Sequence, residues 1–450
     1  MKNAKTSIIR LLTALIPAKG LRRRIRRRLM DAERDAWLAK NVPEARRRYA
    51  RLEAACREKL AAGGRLSVAF VVCDASMFSG ESVFQAMLSD GRFDPFIAVV
   101  PRVSRGEEFL KASLEKTLSS LRAKFGGAVR CMYDPATGAA RPLEGAADVV
   151  FTSIVYQDQT LEQYTTVHLS RTALVVCLYY GYGGLFKSNE RKTVFLPDIV
   201  CAWRYFVSNE ATRRLWVERN PALAGNTVAA GYCKMDRLAR IAPAGAPRTR
   251  PRVIVAPHHT IDRKADALSL STFLEHADFF LRLPEMFPEA DFVFRPHPLL
   301  FARLATPKWW GPERTAEYER RMKAHANVEF QQGGDYFGTF AESDALVHDC
   351  GSFLAEYFYT GRPQCYLSDG RGTLEAQLLP FSERLYAHVY HATTDDEIAA
   401  FVRDVAIAGR DPMKPARDEF AAAEVCVNHP NATARVIDAV MNGIEKGTLT

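Results

Sequence analysis

Three stretches decide the fold of this chain: VIVAPHHTID (253–262), FVFRPHP (292–298) and ALVHDCGSFLAEYF (345–358). Each begins with a short run of apolar residues, mostly β-branched or aromatic, which is typical of a strand buried in a parallel sheet. Each run then stops at a proline or glycine turn and is followed by polar side chains that can bind anions. Ligands of open α/β sheets lie at the carboxyl ends of the strands. The three loops therefore predict one shared site with phosphate chemistry.

Two of these loops carry residues suited to a diphosphate. Arg295 and His297 are two residues apart, and alternate side chains of an extended strand point the same way. The guanidinium would neutralise charge, and the imidazole would give a proton as the phosphoanhydride breaks. Gly351 and Ser352 stand at a predicted helix start, where free N–H groups bind phosphate, although Ser352 could serve only as an N-cap. Glu356 is expected either to accept from two ribose hydroxyls or to be a plain surface residue.

The remaining candidates for ligand chemistry are histidines and cysteines. His258 and His259 follow the first of the three strands, and we expect one to face the site and the other to pack. The nine cysteines form no CxxC pair and no metal-ligand spacing, so the sequence predicts no metal site and no cofactor. Cys73, Cys177 and Cys365 lie in apolar runs, as reduced core thiols of cytosolic proteins do.

Strands and helices alternate on both sides of a connector, PAGAPRTRP (243–251), that is rich in proline, glycine and alanine. A chain of 450 residues that is 48% hydrophobic can bury two α/β cores. The alternation predicts two doubly wound, Rossmann-like domains that face each other across a cleft. The expected segments are a basic segment (1–30), a helical brace (31–64), a first domain (65–242), a second domain (252–428) and a C-terminal helix (429–450).

The net charge of +9 belongs to the N-terminus. Residues 1–30 hold ten of the 61 Lys and Arg residues and no acidic residue, which leaves 51 basic against 52 acidic residues elsewhere. A nearly neutral body does not suggest nucleic-acid binding, which needs a basic face on the fold itself.

The basic segment itself has helical spacing. Leu21, Ile25 and Leu29 form a ridge among six arginines, and the earlier apolar residues follow a similar pattern: Ile8, Leu11, Leu12, Leu15 and Ile16. The apolar run is too short to span a bilayer and does not resemble a signal peptide. We expect an amphipathic helix on the anionic inner face of the cell membrane. A solvated tail, or an arm that packs against a neighbouring subunit, is the alternative.

Four motifs in order resemble the CDP-glycerol:poly(glycerophosphate) glycerophosphotransferases, the teichoic-acid polymerase and primase family. HDCGSFLAEYFYTGRP (348–363) is similar to the family's TDYSS…FDFA…KP segment, and FRPHP (294–298) to its K-x-HP strand end. GYCKMDRL (231–238) is similar to GYPRND, and VAPHHT (255–260) to YAPT. The resemblance covers about residues 173–367. It implies the two-domain GT-B fold, with His297 at the position of the family histidine.

One departure concerns the family segment WHGTPLK, whose histidine is thought to act as a base. Here the stretch reads LYYGYGGLFK (178–187), so Tyr180 stands in that histidine's place. A tyrosine of ordinary pKa, about 10, is a poor base at neutral pH. Either another residue takes the proton, with Asp74 and Asp158 candidates by position only, or the acceptor differs from a glycerophosphate chain. The loop is still assigned to catalysis and to the acceptor side through Tyr180, Gly181, Tyr182 and Lys187.

The resemblance implies a transferase of the inner membrane face that needs no cofactor. It would move an alditol phosphate, foremost glycerophosphate, from CDP-glycerol or another CDP-alditol to a hydroxyl of a polyol, glycan or lipid-linked acceptor, and release CMP. Two alternatives are a GT-B glycosyltransferase that uses a nucleotide sugar and a non-catalytic membrane-bound scaffold of the same fold.

Overall fold

The computed structural model describes residues 11, 13–14, 18–104, 106–241, 248–263, 266 and 268–447. The described residues form two parallel sheets with helices on their faces. The first sheet has the order β3-β2-β1-β4-β5-β6-β7. Its strands are β1 Leu66–Val72, β2 Phe93–Val99, β3 Val129–Cys131, β4 Val149–Thr152, β5 Leu174–Leu178, β6 Arg204–Val207 and β7 Thr227–Ala229.

The second sheet has the order β10-β9-β8-β11-β12-β13, again with every neighbouring pair parallel. Both orders start near the middle and reverse direction once, which is the doubly wound pattern that the sequence predicts. The strands of the second sheet are β8 Arg252–Ala256, β9 Asp291–Phe294, β10 Val328–Phe330, β11 Ala345–His348, β12 Gln364–Leu367 and β13 Tyr390–Ala392.

Helices cover both faces of each sheet, because the central strands are buried on both sides; for instance, all four residues of β4 and of β11 are buried. In the first domain and before it, the helices are α1 Lys19–Ala61, α2 Glu81–Leu88, α3 Glu107–Phe125, α4 Thr166–Leu169, α5 Lys187–Thr193, α6 Pro197–Val200 and α7 Glu210–Arg219. In the second half they are α8 Phe273–Met286, α9 Leu300–Leu304, α10 Gly311–Lys323, α11 Phe337–Glu342, α12 Phe353–Glu356, α13 Pro380–Ala387, α14 Asp395–Ala400, α15 Lys414–Phe420 and α16 Ala432–Lys446.

Helix α1 is a single 43-residue element, so the predicted boundary between residues 30 and 31 falls inside it. The helix is anchored from about Arg34 onward: the Arg34 guanidinium lies 3.9 Å from the centre of the Phe195 ring, and Trp37 and Leu38 pack against the core. Its buried residues follow at helical spacing: Val42, Ala45, Tyr49, Glu53 and Cys56. The Tyr49 hydroxyl donates to the Cys201 carbonyl (2.7 Å). The first turns carry exposed apolar residues instead: Leu21 and Leu29 are 49% and 42% exposed.

Part of the predicted amphipathic segment lies outside the described residues, namely Ile8, Leu12, Leu15 and Ile16. The same holds for most of the connector, residues 243–247. No helix in the described part of the chain is both long enough and apolar enough to span a bilayer.

The C-terminal helix α16 returns to the first domain. Val436, Val440 and Ile444 are buried in the same core as β1 and the second half of α1. The return is fixed at its start by Asp236, whose carboxylate accepts from the Thr433 N–H (2.6 Å). The two domains are therefore joined twice by the chain, at residues 230–251 and at α16.

Candidate functional site

The carboxyl ends of the two sheets face each other across a cleft of about 670 Å³. A cleft of this size lies in the range of small-molecule and cofactor sites. One wall is the loop after β5, and the other is built from the loops after β8, β9 and β11. The lining residues used below are Tyr180, Gly181, Tyr182, His258, His259, Asp266, Arg295, His297, Gly351 and Ser352. The sequence-predicted loops therefore do converge on one site.

The loop after β5 is held by the second domain. Phe186 forms an isolated β-bridge with Leu378, and the Leu185 carbonyl accepts from the Leu379 N–H (3.1 Å). Gly184 has a φ of +81°, and a Cβ placed there would lie 2.8 Å from the Thr212 hydroxyl oxygen, so this turn requires glycine. The loop after β5 therefore forms a fixed wall of the cleft.

His258, His259 and His297 form a cluster on the second-domain side. The ring centroids are 4.0 Å apart for His259 and His297, 4.4 Å for the two adjacent histidines and 5.0 Å for His258 and His297. All three line the cleft. The sequence interpretation, in which one of the two adjacent histidines faces the site and the other packs, is therefore wrong.

The three imidazoles are uncharged at neutral pH. Burial, followed by the nearby Arg303, lowers the pKa of His259 to about 4. Burial, His259 and Arg303 lower the pKa of His297 to about 3. Burial and its histidine neighbours hold the pKa of His258 well below its usual value. His297 in the ligand-free protein therefore lacks the proton that the predicted general-acid role requires, because desolvation disfavours the charged ring.

Arg295 lies at the end of β9 and is 7% exposed. Its guanidinium donates to the side chain of Gln331 and to the Gly334 carbonyl (2.7 Å). Within the described ranges, no carboxylate oxygen lies within ion-pair distance of Arg295. Burial lowers the pKa of the guanidinium, yet a shifted arginine stays charged at neutral pH. Asp335 and Glu329 lie near enough to act on this charge but do not pair with it directly. A buried guanidinium without a direct ion pair among the described residues favours an anionic ligand in the cleft.

Asp349, the residue that follows β11, organises the site. It is fully buried and accepts from the backbone N–H of His258 and from the Thr272 N–H (2.7 Å) just before α8. Burial raises the pKa of this carboxyl to about 6. The sequence alone predicts no specific role for Asp349, although an aspartate directly after a buried strand is a signal for one. Its role here is to fix the backbone of the histidine loop.

Ser352 and Gly351 line the cleft, but the expected helix start is weak. Helix α12 has only four residues, and Ser352 at its N-cap position makes no capping hydrogen bond. The N-cap alternative is therefore wrong, and a helix this short contributes a small dipole. Ser352 instead faces the other wall: a Cβ placed on Gly181 would lie 3.4 Å from its hydroxyl oxygen.

Glu356 is 1% exposed and lies beneath the cleft. Its carboxylate accepts from the hydroxyls of Tyr336 (2.6 Å) and Tyr232 (3.1 Å), and the Lys234 ammonium is 3.5 Å away. The predicted contact with ribose hydroxyls disagrees with this burial, because both oxygens already have donors. The surface alternative is also wrong. Glu356 joins the second domain to the segment after β7.

Tyr180 lines the cleft but is not suited to take a proton. Burial, followed by Tyr156, raises its pKa above the usual value, so the phenolate is even less available than in water. Its predicted catalytic role as a base is therefore unsupported. Asp74 is ion-paired with Arg102 (3.0 Å) and Asp158 is exposed; neither lines the cleft.

The other acceptor-side candidates differ in placement. Gly181 and Tyr182 line the cleft, and Tyr182 is 4% exposed, with its hydroxyl accepting from the Asn209 side chain (3.2 Å). Lys187 is exposed at the start of α5 and donates to the Ala376 carbonyl (3.0 Å). Lys187 thus links the two domains outside the cleft, contrary to its predicted acceptor contact.

No family model and no curated protein sequence matches this chain. Solved structures do match. The wall teichoic acid polymerase TagF has a TM-score of 0.53 at 11% identity, covering 92% of this chain and 97% of that one. UDP-GlcNAc 2-epimerase from Neisseria meningitidis, bound to UDP-GlcNAc, has a TM-score of 0.53 at 12% identity, covering 84% and 100%.

A third similar structure is a putative UDP-N-acetylglucosamine 2-epimerase from Listeria monocytogenes, with a TM-score of 0.54 at 11% identity, covering 85% of this chain and 98% of that one. Identities this low show a shared fold and nothing finer. Together with the two doubly wound sheets and the cleft between them, these likenesses confirm the predicted architecture. The chain has the GT-B fold.

Proposed function

We propose that this protein is a transferase that moves an alditol phosphate, foremost glycerophosphate, from a CDP-alditol to an acceptor hydroxyl. The observation that carries the proposal is Arg295, a buried guanidinium with no carboxylate partner among the described residues, at a strand end beside three imidazoles and Ser352. This combination suits a diphosphate in the second domain. The motif order that resembles the glycerophosphotransferases supports the choice of a cytidine donor.

The reaction needs charge stabilisation more than acid catalysis. An acceptor oxygen attacks the β-phosphorus, the bond to the bridging oxygen breaks, and CMP leaves with the electron pair. The leaving group is a phosphate monoester with a second pKa of about 6, so it departs as an anion without being protonated. Neutral imidazoles that donate N–H groups are therefore sufficient around the phosphates. Positioning and electrostatics account for most of the catalysis of phosphoryl transfer.

Among the described side chains that line the cleft, neither Tyr180 nor Asp266 is suited to take the proton of the attacking hydroxyl. Burial raises the pKa of Tyr180 above its usual value. Asp266 also lines the cleft, but it is paired with Arg303, whose hydrogen bond lowers the pKa of the carboxyl. In this proposal the proton of the acceptor hydroxyl therefore passes to solvent water.

The test is a panel of nucleotide-activated polyols and sugars, followed by CMP release and product mass. We expect CDP-glycerol or a related CDP-alditol to be consumed and the product to gain a phosphorus atom. In thermal-shift experiments CDP and CMP should stabilise the protein more than UDP or GDP, because a ligand of the native state raises its stability. A preference for UDP or GDP, or a product that gains a sugar and no phosphorus, would overturn the proposal.

We further propose that the start of α1 holds the protein on the anionic inner face of the cell membrane. The exposed side chains of Leu21 and Leu29 lie among six arginines, and the packed part of the helix begins only near Arg34, which lies over the Phe195 ring. Apolar residues that enter the interface and basic residues near it both add to such binding, each basic residue by about 1 kcal/mol.

Changing the six arginines of residues 22–28 to glutamine is expected to abolish sedimentation with phosphatidylglycerol vesicles at low salt. The matched control changes four basic residues on the exposed face of α10 to glutamine: Arg314, Arg320, Arg321 and Lys323. The control should bind like the parent protein, and salt should weaken parental binding, because exposed charges are screened over about 10 Å at 0.1 M. Equal loss in both variants would show only a general charge effect.

A further inference from the structure

The histidine cluster is more than a set of phosphate donors. One ring nitrogen from each of His258, His259 and His297 lies within 4.8 Å of the others. A tetrahedral zinc ion with bonds of about 2.0–2.1 Å places its ligand nitrogens ~3.4 Å apart. Small side-chain rotations toward a common centre would therefore close the cluster around a metal ion.

A buried ring nitrogen of His259 supports the same interpretation. Its Nδ1 atom has no hydrogen-bond partner among the described atoms. Such an orphaned nitrogen is unusual in a folded protein, and a ligand not present here would explain it.

The surroundings hold the cluster as they would a set of metal ligands. His258 Nδ1 lies 2.8 Å from the Thr260 hydroxyl, which can fix the ring through the nitrogen that does not bind. The buried Asp349 carboxylate accepts from the His258 backbone N–H, and the Arg303 guanidinium donates to the His259 carbonyl (2.9 Å). Arg303 is in turn neutralised by Asp266 (2.6 Å), so its charge is largely compensated.

We propose that His258, His259 and His297 bind one divalent transition-metal ion, with zinc as the best match to three imidazoles, and leave an open coordination position toward the cleft. Three protein ligands and one open position are typical of catalytic zinc sites. The sequence prediction of no metal missed this site because two ligands are adjacent and the third follows a different strand, so no ligand spacing is visible along the chain.

Two hydrogen bonds oppose the site. The Leu299 N–H donates to His297 Nδ1 over 3.2 Å, and the Thr260 N–H donates to His258 Nδ1 over 3.4 Å. Binding through Nε2 would place the ring proton on Nδ1 and break each of these bonds, unless the ring turns over. That cost is two ordinary, rather long hydrogen bonds, which is small beside the affinity that three imidazoles give for zinc.

A metal here would also supply what the cleft lacks. A bound cation lowers the pKa of a hydroxyl that coordinates to it and neutralises charge on a phosphoryl oxygen. The first effect would let solvent water accept the proton of the attacking hydroxyl, so that no side-chain base would be required. This consequence rests on the proposed function, whereas the metal site itself does not.

The test uses the full chain without a histidine tag, stripped with chelator and titrated with Zn²⁺ or Co²⁺ in the absence of nucleotide. Calorimetry and the visible absorption of cobalt should show one strong site per chain. His259→Ala and His297→Ala should each weaken binding by at least about 100-fold, the upper end of what loss of a mere second-shell partner costs. His391→Ala is the matched control, since His391 is exposed in the same domain.

Folding is checked by thermal melting, and His259→Gln provides a polar variant of similar size should the alanine variant unfold. No stoichiometric binding by the parent protein, or strong binding that survives in the His259 and His297 variants, would overturn the metal site. If the protein binds metal but turns over no CDP-alditol, the metal site is supported and the proposed reaction is refuted. Turnover that is unaffected by stripping and by added metal would confine the ion to a structural role.

Discussion

Replacing Gly231 with alanine is expected to destabilise the protein by about 3 kcal/mol or more. Gly231 has a φ of +92°, where an L side chain is strained. Its added Cβ would also lie 2.2 Å from the Val427 carbonyl oxygen and 2.8 Å from the Ala432 Cβ. Backbone strain and overpacking each cost about 1–3 kcal/mol, and the backbone oxygen cannot move away alone. The urea midpoint of unfolding measures the effect.

The matched control is Gly338→Ala on helix α11. Gly338 is exposed, its φ is not positive, and an added Cβ would meet no atom within 4 Å. Alanine there should be neutral or stabilise by up to about 1 kcal/mol, because glycine is a poor helix former. A similar loss of stability in both variants would show that the crowding around Gly231 is not the cause. Because Val427 and Ala432 precede and begin α16, the defect should also loosen the C-terminal helix.

The sequence contained enough to predict the central strands but not the edges of the sheets. Strands such as β1 and β5 are runs of five or more buried apolar residues, and such runs are visible without a structure. The edge strands β3, β7, β10 and β13 have three residues each, too few for any period. Their strand conformation comes from pairing with a neighbour that is distant in the chain.

Some features of the candidate site could likewise be predicted from the sequence, and others could not. That Arg295, His297 and Ser352 would meet follows from the carboxyl ends of parallel strands sharing one edge. The burial of Glu356 cannot be predicted in this way, because its hydrogen-bond donors are distant in the chain. Tyr232 lies in the segment after β7, and Tyr336 lies directly before α11. A carboxylate near a strand end can face a ligand or satisfy buried hydroxyls, and only the fold decides between these roles.

The same limit applies to charge state. The sequence offers His297 as an acid with an ordinary pKa, but burial, followed by His259 and Arg303, lowers that pKa to about 3. Arg303 is near His297 in the sequence, but His259 follows a different strand, and the sequence alone shows neither the contact between the rings nor the burial. Roles that depend on proton affinity are therefore the least predictable, since they depend on burial and on charges brought together by the fold.

Replacing Arg295 with alanine is expected to lower kcat/KM for the donor by about 10²–10³-fold, as the loss of a preorganised charge-stabilising donor does. The diphosphate is charged before and during transfer, so both KM and kcat should change. Arg295→Lys should recover only part of the loss, because an ammonium cannot hold Gln331 and Gly334 and still present a planar fork to the phosphates. Added guanidinium ions should partly rescue the alanine variant.

The control for this experiment is Arg282→Ala, since the Arg282 side chain is 62% exposed on α8, away from the cleft. It should bind and turn over donor like the parent protein. Comparing two ligands shows whether Arg295 binds the diphosphate or only supports the structure. Arg295→Ala should lose much more affinity for CDP than for cytidine, because only CDP carries the charge that the guanidinium neutralises. An equal loss for both ligands, with a lowered melting temperature, would mean that Arg295 supports the loops around Gln331 and does not bind the phosphates.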